Sequence, residues 1–216
     1  MKGNVSNYLV CFILVIGLTF SFPMDGQAAN RIVKFGDTGG YVWDLQHRLQ
    51  QLGYLTDNLD GIFGSKTERA VLHFQRKNNL TPDGIVGKTT WRALYNQTFT
   101  QNEIEMLAKL VHGEARGESL EGKVAVAAVV LNRLKSPDFP NTIQEVIFEP
   151  RAFTAIDDGQ YYLTPDAESY RAVYLAIRGW DPTDGALYYF NPDTATSAWI
   201  WTRPQIKKID QHIFAR

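Results

Sequence analysis

Residues 102–118 read NEIEMLAKLVHGEARGE, an amphipathic stretch that runs into a glycine-containing pentad. Its apolar residues recur at helical spacing on one face, whereas Glu103, Glu105 and Lys109 fall off that face. The spacing predicts a helix that packs its apolar face inward and ends close to the pentad, residues 114–118. Such a helix would hold the first acidic residue of the pentad in a defined position.

That acidic residue, Glu114, is the candidate general acid of the chain. It is expected at or just past the helix end, between Gly113 and Gly117. The C-terminal end of a helix dipole disfavours a negative charge, and the apolar run 124–131 is expected to pack nearby. Both effects favour a protonated carboxyl group, as general-acid catalysis requires. A solvated helix-end glutamate is the alternative.

The composition is that of an ordinary globular protein. The chain has 216 residues, enough for one large or two small domains, with 44% hydrophobic and 21% charged residues. The formal net charge is −1, so the sequence lacks the basic footprint of a nucleic-acid-binding protein. We therefore expect no nucleic-acid partner.

The N-terminus has the pattern of an export signal. Lys2 precedes an uncharged stretch with an apolar centre at 8–22, and small residues follow up to Ala28. This predicts a secretory signal over residues 1–28, with a retained membrane anchor as the alternative. Cleavage would remove Cys11, the only cysteine, so the mature protein would contain no disulfide. An exported protein without disulfides suits a bacterial wall compartment.

An internal repeat marks the first domain. Residues 60–71, DGIFGSKTERAV, are echoed by residues 83–94, DGIVGKTTWRAL. Each unit predicts an Asp-Gly turn, a second glycine turn and a Ser/Thr-capped helix. A further helix with an apolar stripe is predicted over 41–52. Residues 31–96 are thus expected to form an all-α three-helix bundle, which contains no recognisable catalytic set.

This arrangement resembles the peptidoglycan-binding domain found on many wall hydrolases. The resemblance implies that glycan strands of peptidoglycan are a partner, and that the ligand groove lies near the glycine-rich turns. Asp60 and Asp83 are the acidic positions that correspond, and both are predicted to contact substrate. The other residues that correspond in these turns are Gly61, Phe63 and Gly84.

A second domain is predicted over residues 103–216, after a short polar linker over 97–102. The alanine-rich apolar segment 121–134 is expected to be a buried helix because of its length, although its valines favour a strand. A further helix is predicted between Thr164 and Gly179. Two segments are strand-like, residues 186–190 and 208–214. The domain is therefore expected to be a helix-dominated α+β domain with a small antiparallel sheet.

This second domain resembles the catalytic domain of the spore cortex-lytic enzyme family. The segments that carry the resemblance are residues 112–118, 122–133, 146–148, 152–154 and 186–192, together with Trp199 and 212–214. The resemblance implies a distantly lysozyme-like fold and a lytic transglycosylase that degrades spore cortex peptidoglycan during germination, with Glu114 as the catalytic acid. It also implies export to the spore cortex or the inner spore membrane surface, and a membrane-associated sporulation partner protein. The sequence departs from the family at Asp210, where a glycine is expected.

The chemistry of such an enzyme needs only one acid. A hydrolase usually adds a second carboxylate, whereas a lytic transglycosylase uses the 6-hydroxyl group of the sugar. Candidates for a second carboxylate are Glu118, Asp157, Asp158 and Asp193, and no spacing singles one out. We interpret Glu118 as structural, paired with Arg116. A hydrolytic muramidase or glucosaminidase, an amidase and a non-catalytic wall-binding protein remain alternatives.

The glycan cleft is predicted to be lined by residues in and just after the first strand-like segment, 186–190. These candidates are Tyr188, Tyr189, Asn191 and Thr196. Three tryptophans could be stacking platforms or core residues, and both readings stay open: Trp180, Trp199 and Trp201. The four histidines are scattered without ligand spacing, so we expect no metal site and no cofactor.

Overall fold

The structure is a computed structural model that describes residues 31–216. The predicted export signal, residues 1–28, lies outside the described residues. The described chain forms two modules, each with its own hydrophobic core, and both predicted domain classes are confirmed. None of the helices between residues 31 and 216 has the length and apolar content of a membrane span.

Three helices build the first module, as the repeat and the apolar stripe predict. They are α1 (Gly40–Gln51), α2 (Ser65–Lys77) and α3 (Lys88–Tyr95). Two isolated antiparallel bridges, Val33 with Val86 and Thr38 with Ile62, join the extended N-terminal segment to the two glycine turns. The fully buried large side chains of the module include Leu45, Leu49, Phe63, Phe74, Trp91 and Leu94.

A buried glutamine holds each of the two repeated turns. Gln46 Nε2 donates to Asp60 Oδ1 at 2.7 Å, and Gln75 Nε2 donates to Asp83 Oδ1 at 2.9 Å. The carbonyl oxygen of each glutamine accepts the N–H of the glycine that follows the aspartate. The two turns are therefore equivalent in hydrogen bonding as well as in sequence.

The prediction that serine or threonine caps the helices of the repeat is wrong. The residues before α2 and α3 are Gly64 and Gly87, and neither position has a side-chain cap. Thr67 and Thr90 are instead buried in the first turn of each helix, where their hydroxyl groups accept from the two glutamines at 3.1 and 3.3 Å. The threonines thus help to hold the turns.

The segment that connects the two modules is hydrogen-bonded to α1 of the first module. Gln51 Nε2 donates to the Phe99 carbonyl at 2.7 Å, and Gln51 Oε1 accepts the Phe99 N–H at 2.9 Å. The Phe99 ring packs into the core of the second module. Because the next helix begins at Gln101, the irregular connection is shorter than the predicted linker, 97–102.

A second contact docks the modules directly. Arg178, at the end of a helix in the second module, donates from Nε to the Gln51 carbonyl at 2.8 Å and from a terminal nitrogen to the Gln50 carbonyl at 2.7 Å. These carbonyls belong to the last turn of α1, which leaves its carbonyl groups without partners inside the helix. The guanidinium group therefore caps α1 across the module boundary.

The second module contains five α-helices, a three-stranded sheet and two short 3-10 turns in its described residues. The helices are α4 (Gln101–Ala115), α5 (Leu120–Arg133), α6 (Ile143–Ile147), α7 (Thr154–Asp157) and α8 (Ala167–Ile177). The strands are β1 (Tyr188–Phe190), β2 (Gln205–Ile209) and β3 (His212–Ala215). The 3-10 turns span Gln160–Tyr162 and Ile200–Thr202.

Helices α4, α5 and α8 form the central core of this module. Helix α4 begins with a capping box, in which Thr100 and Glu103 satisfy each other's backbone N–H groups. Helix α5 is buried over most of its length, which confirms the helical prediction for the alanine-rich segment. Its Ala125 and Val129 pack against Phe214 of the sheet. Thus α5 joins the helical core to the sheet.

The sheet is antiparallel with strand order β1-β3-β2, as predicted for a small antiparallel sheet. The prediction of one strand over 208–214 is wrong, because the chain reverses at Asp210 and Gln211 and forms a hairpin. Asp210 adopts a left-handed backbone conformation, φ 48°. Glycine adopts this conformation without steric cost, which explains why a glycine is expected at this position.

Candidate active site

Glu114 lies in the last turn of α4, as predicted, and three groups from distant segments donate hydrogen bonds to it. The Tyr189 hydroxyl donates to Oε2 at 2.9 Å. The Ala155 N–H donates to Oε1 at 2.6 Å, and the Thr154 hydroxyl lies 3.2 Å from both carboxylate oxygens. The side chain is half-buried, so a ligand can still reach the carboxyl group.

The surroundings of Glu114 differ from the expected apolar environment. Its hydrogen-bonding neighbours are two hydroxyl groups and one backbone N–H. The apolar residues of α5 point instead into the two hydrophobic cores of the module, where they contact α4, α8 and the sheet. The carboxyl group is therefore held in position by polar contacts from α7 and β1.

Tyr189 is the partner of Glu114 from the sheet. Its ring packs between Phe153, His212 and Phe214, with centroid distances of 6.3, 5.2 and 5.7 Å. Burial raises the pKa of the Tyr189 hydroxyl well above its usual range, and the negative charge of Glu114 raises it further. Tyr189 therefore remains protonated and donates to Glu114 at any working pH. This positioning role was not predicted, and contact of Tyr189 with glycan stays a prediction.

Arg133, at the end of α5, places a positive charge near Glu114. Its side chain is almost fully buried, and Nε donates to the Leu187 carbonyl at 2.8 Å. Desolvation lowers the pKa of the guanidinium group, while the negative charges of Glu149 and Glu114 act in the opposite direction. This buried cation interacts electrostatically with the Glu114 carboxylate and so contributes to the electrostatics of the site.

Neither Arg133 nor Thr154 was a predicted site residue. Both lie inside segments that carry the resemblance to the family, 122–133 and 152–154. The resemblance to the family therefore pointed to both segments, but no short-range pattern in the sequence shows that these residues lie close to Glu114.

Glu118 is structural, as interpreted, but its predicted partner is wrong. Its side chain is only 7% exposed, and Oε1 lies 3.8 Å from Nδ1 of His212. Its Oε2 accepts the N–H of Gln211 at 3.3 Å. No ion pair joins Glu118 to Arg116 in the described chain, because Glu118 points toward the β2–β3 hairpin. The carboxyl group supports the strand that packs against Tyr189.

Asp210 compensates for the absence of glycine at the hairpin turn. Its Oδ2 accepts from the Ser119 N–H at 2.9 Å and from the Ser119 hydroxyl at 2.6 Å. These hydrogen bonds lower the pKa of Asp210. Because Ser119 is the N-cap of α5, the aspartate links the hairpin to the start of the helix that leads to Arg133. The departure from the family pattern thus has a structural function here.

The other predicted cleft residues are distributed over β1 and the loop that follows it. Tyr188 is half-buried, and its ring contacts Trp199 edge-to-face at 5.2 Å. Asn191 Oδ1 accepts the Asp193 N–H at 2.9 Å, so this side chain stabilises a turn. Thr196 is exposed in the same loop. Contact of these residues with glycan stays a prediction.

The three tryptophans that could be either stacking platforms or core residues lie at the surface. Trp180, Trp199 and Trp201 are 41, 51 and 44% exposed. Trp199 contacts Tyr188, whereas Trp201 packs edge-to-face on Phe190 at 4.8 Å. The core reading is therefore wrong, and the aromatic faces are available to a ligand.

The predicted glycan contacts of the first module stay predictions. Asp60 and Asp83 are exposed, but one carboxylate oxygen of each accepts from a buried glutamine and from the backbone N–H two residues ahead. Each aspartate therefore has a structural role in its turn. The second carboxylate oxygen is the group that would reach a ligand.

The proposed second carboxylates are not among the hydrogen-bond or ion-pair partners of Glu114 in residues 31–216. Asp158 binds Gln160 through both carboxylate oxygens, and these bonds lower its pKa. Asp157 and Asp193 are exposed. Across the same residues, no three His, Cys, Asp or Glu side chains converge as a metal site.

Two family models match the chain. The model described as a putative peptidoglycan binding domain matches residues 38–94, and the model described as Cell Wall Hydrolase matches residues 117–215. The two spans lie inside the two predicted domains. Glu114 lies just before the second span, so its assignment depends on the local geometry and on the resemblance.

Similar proteins align either with most of this chain or with its second module. The spore cortex-lytic enzyme of Bacillus cereus is 46% identical over 226 aligned residues, which cover 87% of each chain. The spore cortex-lytic enzyme of Oceanobacillus iheyensis is 38% identical over the full length of both chains. The catalytic domain of a germination-specific lytic transglycosylase, SleB, from Bacillus anthracis is 66% identical, with a TM-score of 0.53, and covers 55% of this chain and 97% of that chain.

Proposed function

This chain belongs to the spore cortex-lytic enzyme family, and we propose from that membership that it cleaves the glycan strands of spore cortex peptidoglycan during germination. The reaction is a lytic transglycosylation in which Glu114 serves first as acid and then as base. The first module binds peptidoglycan and keeps the second module on its substrate.

The observation that carries this proposal is the set of hydrogen bonds to Glu114. Three donors from α7 and β1 fix an accessible carboxyl group, while no carboxylate is among its hydrogen-bond or ion-pair partners in residues 31–216. Retaining and inverting hydrolases both use a pair of carboxylates on either side of the scissile bond. A single carboxyl group suffices when the substrate provides its own nucleophile.

In the proposed reaction Glu114 first donates a proton and later takes one up, so it ends in its starting protonation state. Protonated Glu114 donates its proton to the glycosidic oxygen as the bond from that oxygen to C1 of muramic acid breaks. The 6-hydroxyl group of the same sugar then attacks C1, and the Glu114 carboxylate accepts the hydroxyl proton. The products are a chain with a 1,6-anhydro end and a chain with a new free hydroxyl group, and no water is consumed.

The residues around Glu114 serve this sequence by position. Tyr189, Thr154 and the Ala155 N–H stabilise the carboxylate that forms after proton transfer, because hydrogen bonds to a charged acceptor are strong. Arg133 adds a positive charge that favours the same state. These groups are preorganised in the described chain and need no rearrangement during the reaction.

Two further parts of the proposal come from the resemblance alone. Export across the membrane would place the enzyme at the cortex, and a membrane-associated sporulation partner protein would hold it there. The short, hydrogen-bonded connection at Phe99 supports a rigid arrangement in which the binding module positions the active site.

Digestion of cortex fragments in oxygen-18 water tests the reaction type. Lytic transglycosylation predicts 1,6-anhydromuramic ends without solvent oxygen, and these ends differ from hydrolytic ends by the mass of one water. Label at new reducing ends would show hydrolysis by a muramidase or glucosaminidase. In the same assay, Asp157→Asn, Asp158→Asn and Asp193→Asn should each retain most of the activity. A large loss in one of them would identify the second carboxylate of a hydrolase.

A further inference from the structure

A row of arginine and aromatic side chains extends from the candidate active site to the surface. We call it the arginine–aromatic row, and its members are Trp199, Arg203, Tyr188, Arg133 and Phe139. Arg203 Cζ lies 4.9 Å from the Trp199 ring centroid and 5.8 Å from that of Tyr188. On the other side, Arg133 Cζ lies 5.7 Å from Tyr188 and 5.0 Å from Phe139. Two guanidinium groups thus flank one tyrosine ring.

The hydrogen-bonding capacity of these arginines is largely unused. Arg203 Nε is buried and has no hydrogen-bond partner within residues 31–216. Arg133 donates from Nε to a backbone carbonyl, and no carboxylate of the described chain forms an ion pair with either arginine. The terminal nitrogens of Arg203 also have no hydrogen-bond partner within residues 31–216, and because the residue is only half-buried an acceptor on a ligand can reach them.

The row begins beside the groups that hold Glu114. The connection runs through Phe153, whose ring lies 6.3 Å from the ring of Tyr189, the donor to Glu114. Arg133 Cζ also lies 4.9 Å from the ring of Phe153, which directly precedes Thr154. The outer end is Trp199, which is 51% exposed. Because Arg133 and Phe153 are buried, a glycan chain bound at Glu114 would meet only the outer members of the row, Tyr188, Arg203 and Trp199.

We propose that the arginine–aromatic row is a subsite for a carboxylate of the peptide stem on a muramic acid next to the scissile bond. This inference rests on the proposed function. The planar guanidinium group of Arg203 matches a carboxylate and can bind both of its oxygens. Trp199 and Tyr188 provide the apolar faces against which a sugar ring packs. The N-acetylated sugars of the strand are neutral, so the stem is the source of negative charge.

The test combines two substrates with two variants. The substrates are short soluble glycan chains with intact stems, and the same chains after carbodiimide coupling of the stem carboxylates to methylamine, which removes the charge. Arg203→Gln removes the cation, and Arg171→Gln is the control because Arg171 is an exposed arginine on α8. Arg203→Lys keeps the charge and most of the packing but loses the planar donor pair.

The expected result is a coupling between residue 203 and the stem charge. Arg203→Gln should raise KM for the charged chains by about 10-fold with little change in kcat, and should leave KM for the neutralised chains unchanged. Arg203→Lys should give an intermediate increase on charged chains only, which keeps the test valid if the glutamine variant does not fold. Arg171→Gln should behave as the unmodified protein.

Two outcomes would overturn the subsite. Equal losses on charged and neutralised chains would show that Arg203 only supports Trp199, and unchanged KM on both would show that it does not touch substrate. The proposed function fails in a different way, namely if the unmodified protein cleaves neither chain.

Discussion

A Cβ atom on Gly113 would lie 2.7 Å from Cβ of Ala155. The methyl group of Ala155 packs directly on the backbone of Gly113, and this contact places the Ala155 N–H beside Glu114, the neighbour of Gly113. Only glycine permits this approach at the point where α7 meets α4.

We therefore expect Gly113→Ala to reduce both activity and stability. The added methyl group must push α7 away from α4, which lengthens the bond from Ala155 to Glu114. A loss of about 1–3 kcal/mol in the free energy of unfolding is expected, as for overpacking in general. Urea denaturation and turbidity loss on cortex fragments measure the two effects. Gly117→Ala is the matched control, because a Cβ at Gly117 meets no atom within 4 Å.

Glu114→Gln should abolish most of the activity without unfolding the protein. The amide retains the shape of the side chain but cannot donate and recover the proton, and loss of a general acid costs about 10²-fold or more in rate. Glu105→Gln, on the same helix, should have little effect, since the one ion-pair partner of Glu105 in residues 31–216 is Lys109. A folded Glu114→Gln protein with nearly normal turbidity loss would remove Glu114 from the mechanism.

Tyr189→Phe should lower kcat while leaving KM nearly unchanged. The ring still packs between Phe153 and Phe214, but the donor to the Glu114 carboxylate is lost. A hydrogen bond to a charged group contributes about 1.5–3 kcal/mol, which corresponds to a loss of at least about 10-fold. Tyr174→Phe is the control, since Tyr174 lies on α8 and its hydroxyl makes no hydrogen bond to Glu114. Equal kcat values for Tyr189→Phe and the unmodified enzyme would contradict the positioning role.

Each module should carry out its own function when it is produced alone: the second cleaves glycan, and the first binds sacculi. A chain of residues 97–216 keeps Phe99 in its core, so it should cleave soluble glycan chains but bind intact sacculi less tightly than the two-module protein. Residues 31–96 alone should bind sacculi without cleaving glycan. Sedimentation with sacculi and chromatography of digested chains measure these properties. Cleavage by the first module, or undiminished binding by the second, would refute the division.

The pH dependence of stability should reflect two buried histidines. Burial lowers the pKa of His212 and of His47 below the ordinary value of 6.5. Below about pH 6.5 the unfolded chain binds protons that the folded protein does not bind, so the free energy of unfolding decreases as pH falls. Urea denaturation between pH 7.5 and 5 measures this slope, and His212→Gln should reduce it. The aspartates whose pKa is lowered, among them Asp181 and Asp210, destabilise the folded protein only below about pH 5. A slope that His212→Gln leaves unchanged would contradict the assignment.

Much of the fold follows from local sequence patterns. The repeated Asp-Gly turns predict the three-helix bundle, and the apolar spacing of 102–111 predicts α4 with Glu114 near its end. These features depend on residues a few positions apart, whose conformational preferences and burial are encoded locally. The resemblance to a family adds the reaction and points to the same glutamate.

Tertiary structure alone decided which groups surround that glutamate. Tyr189 lies 75 residues from Glu114 in sequence, and Ala155 lies 41 residues away. No periodicity encodes such pairs, because they form only when α7 and β1 pack against the end of α4. The same limit explains why the predicted partner of Glu118 was wrong. The nearby Arg116 was predicted from sequence proximity, whereas the actual partners lie in the hairpin at His212. Hydrogen bonds between distant segments are set by the packing of whole elements, which short-range patterns in the sequence do not specify.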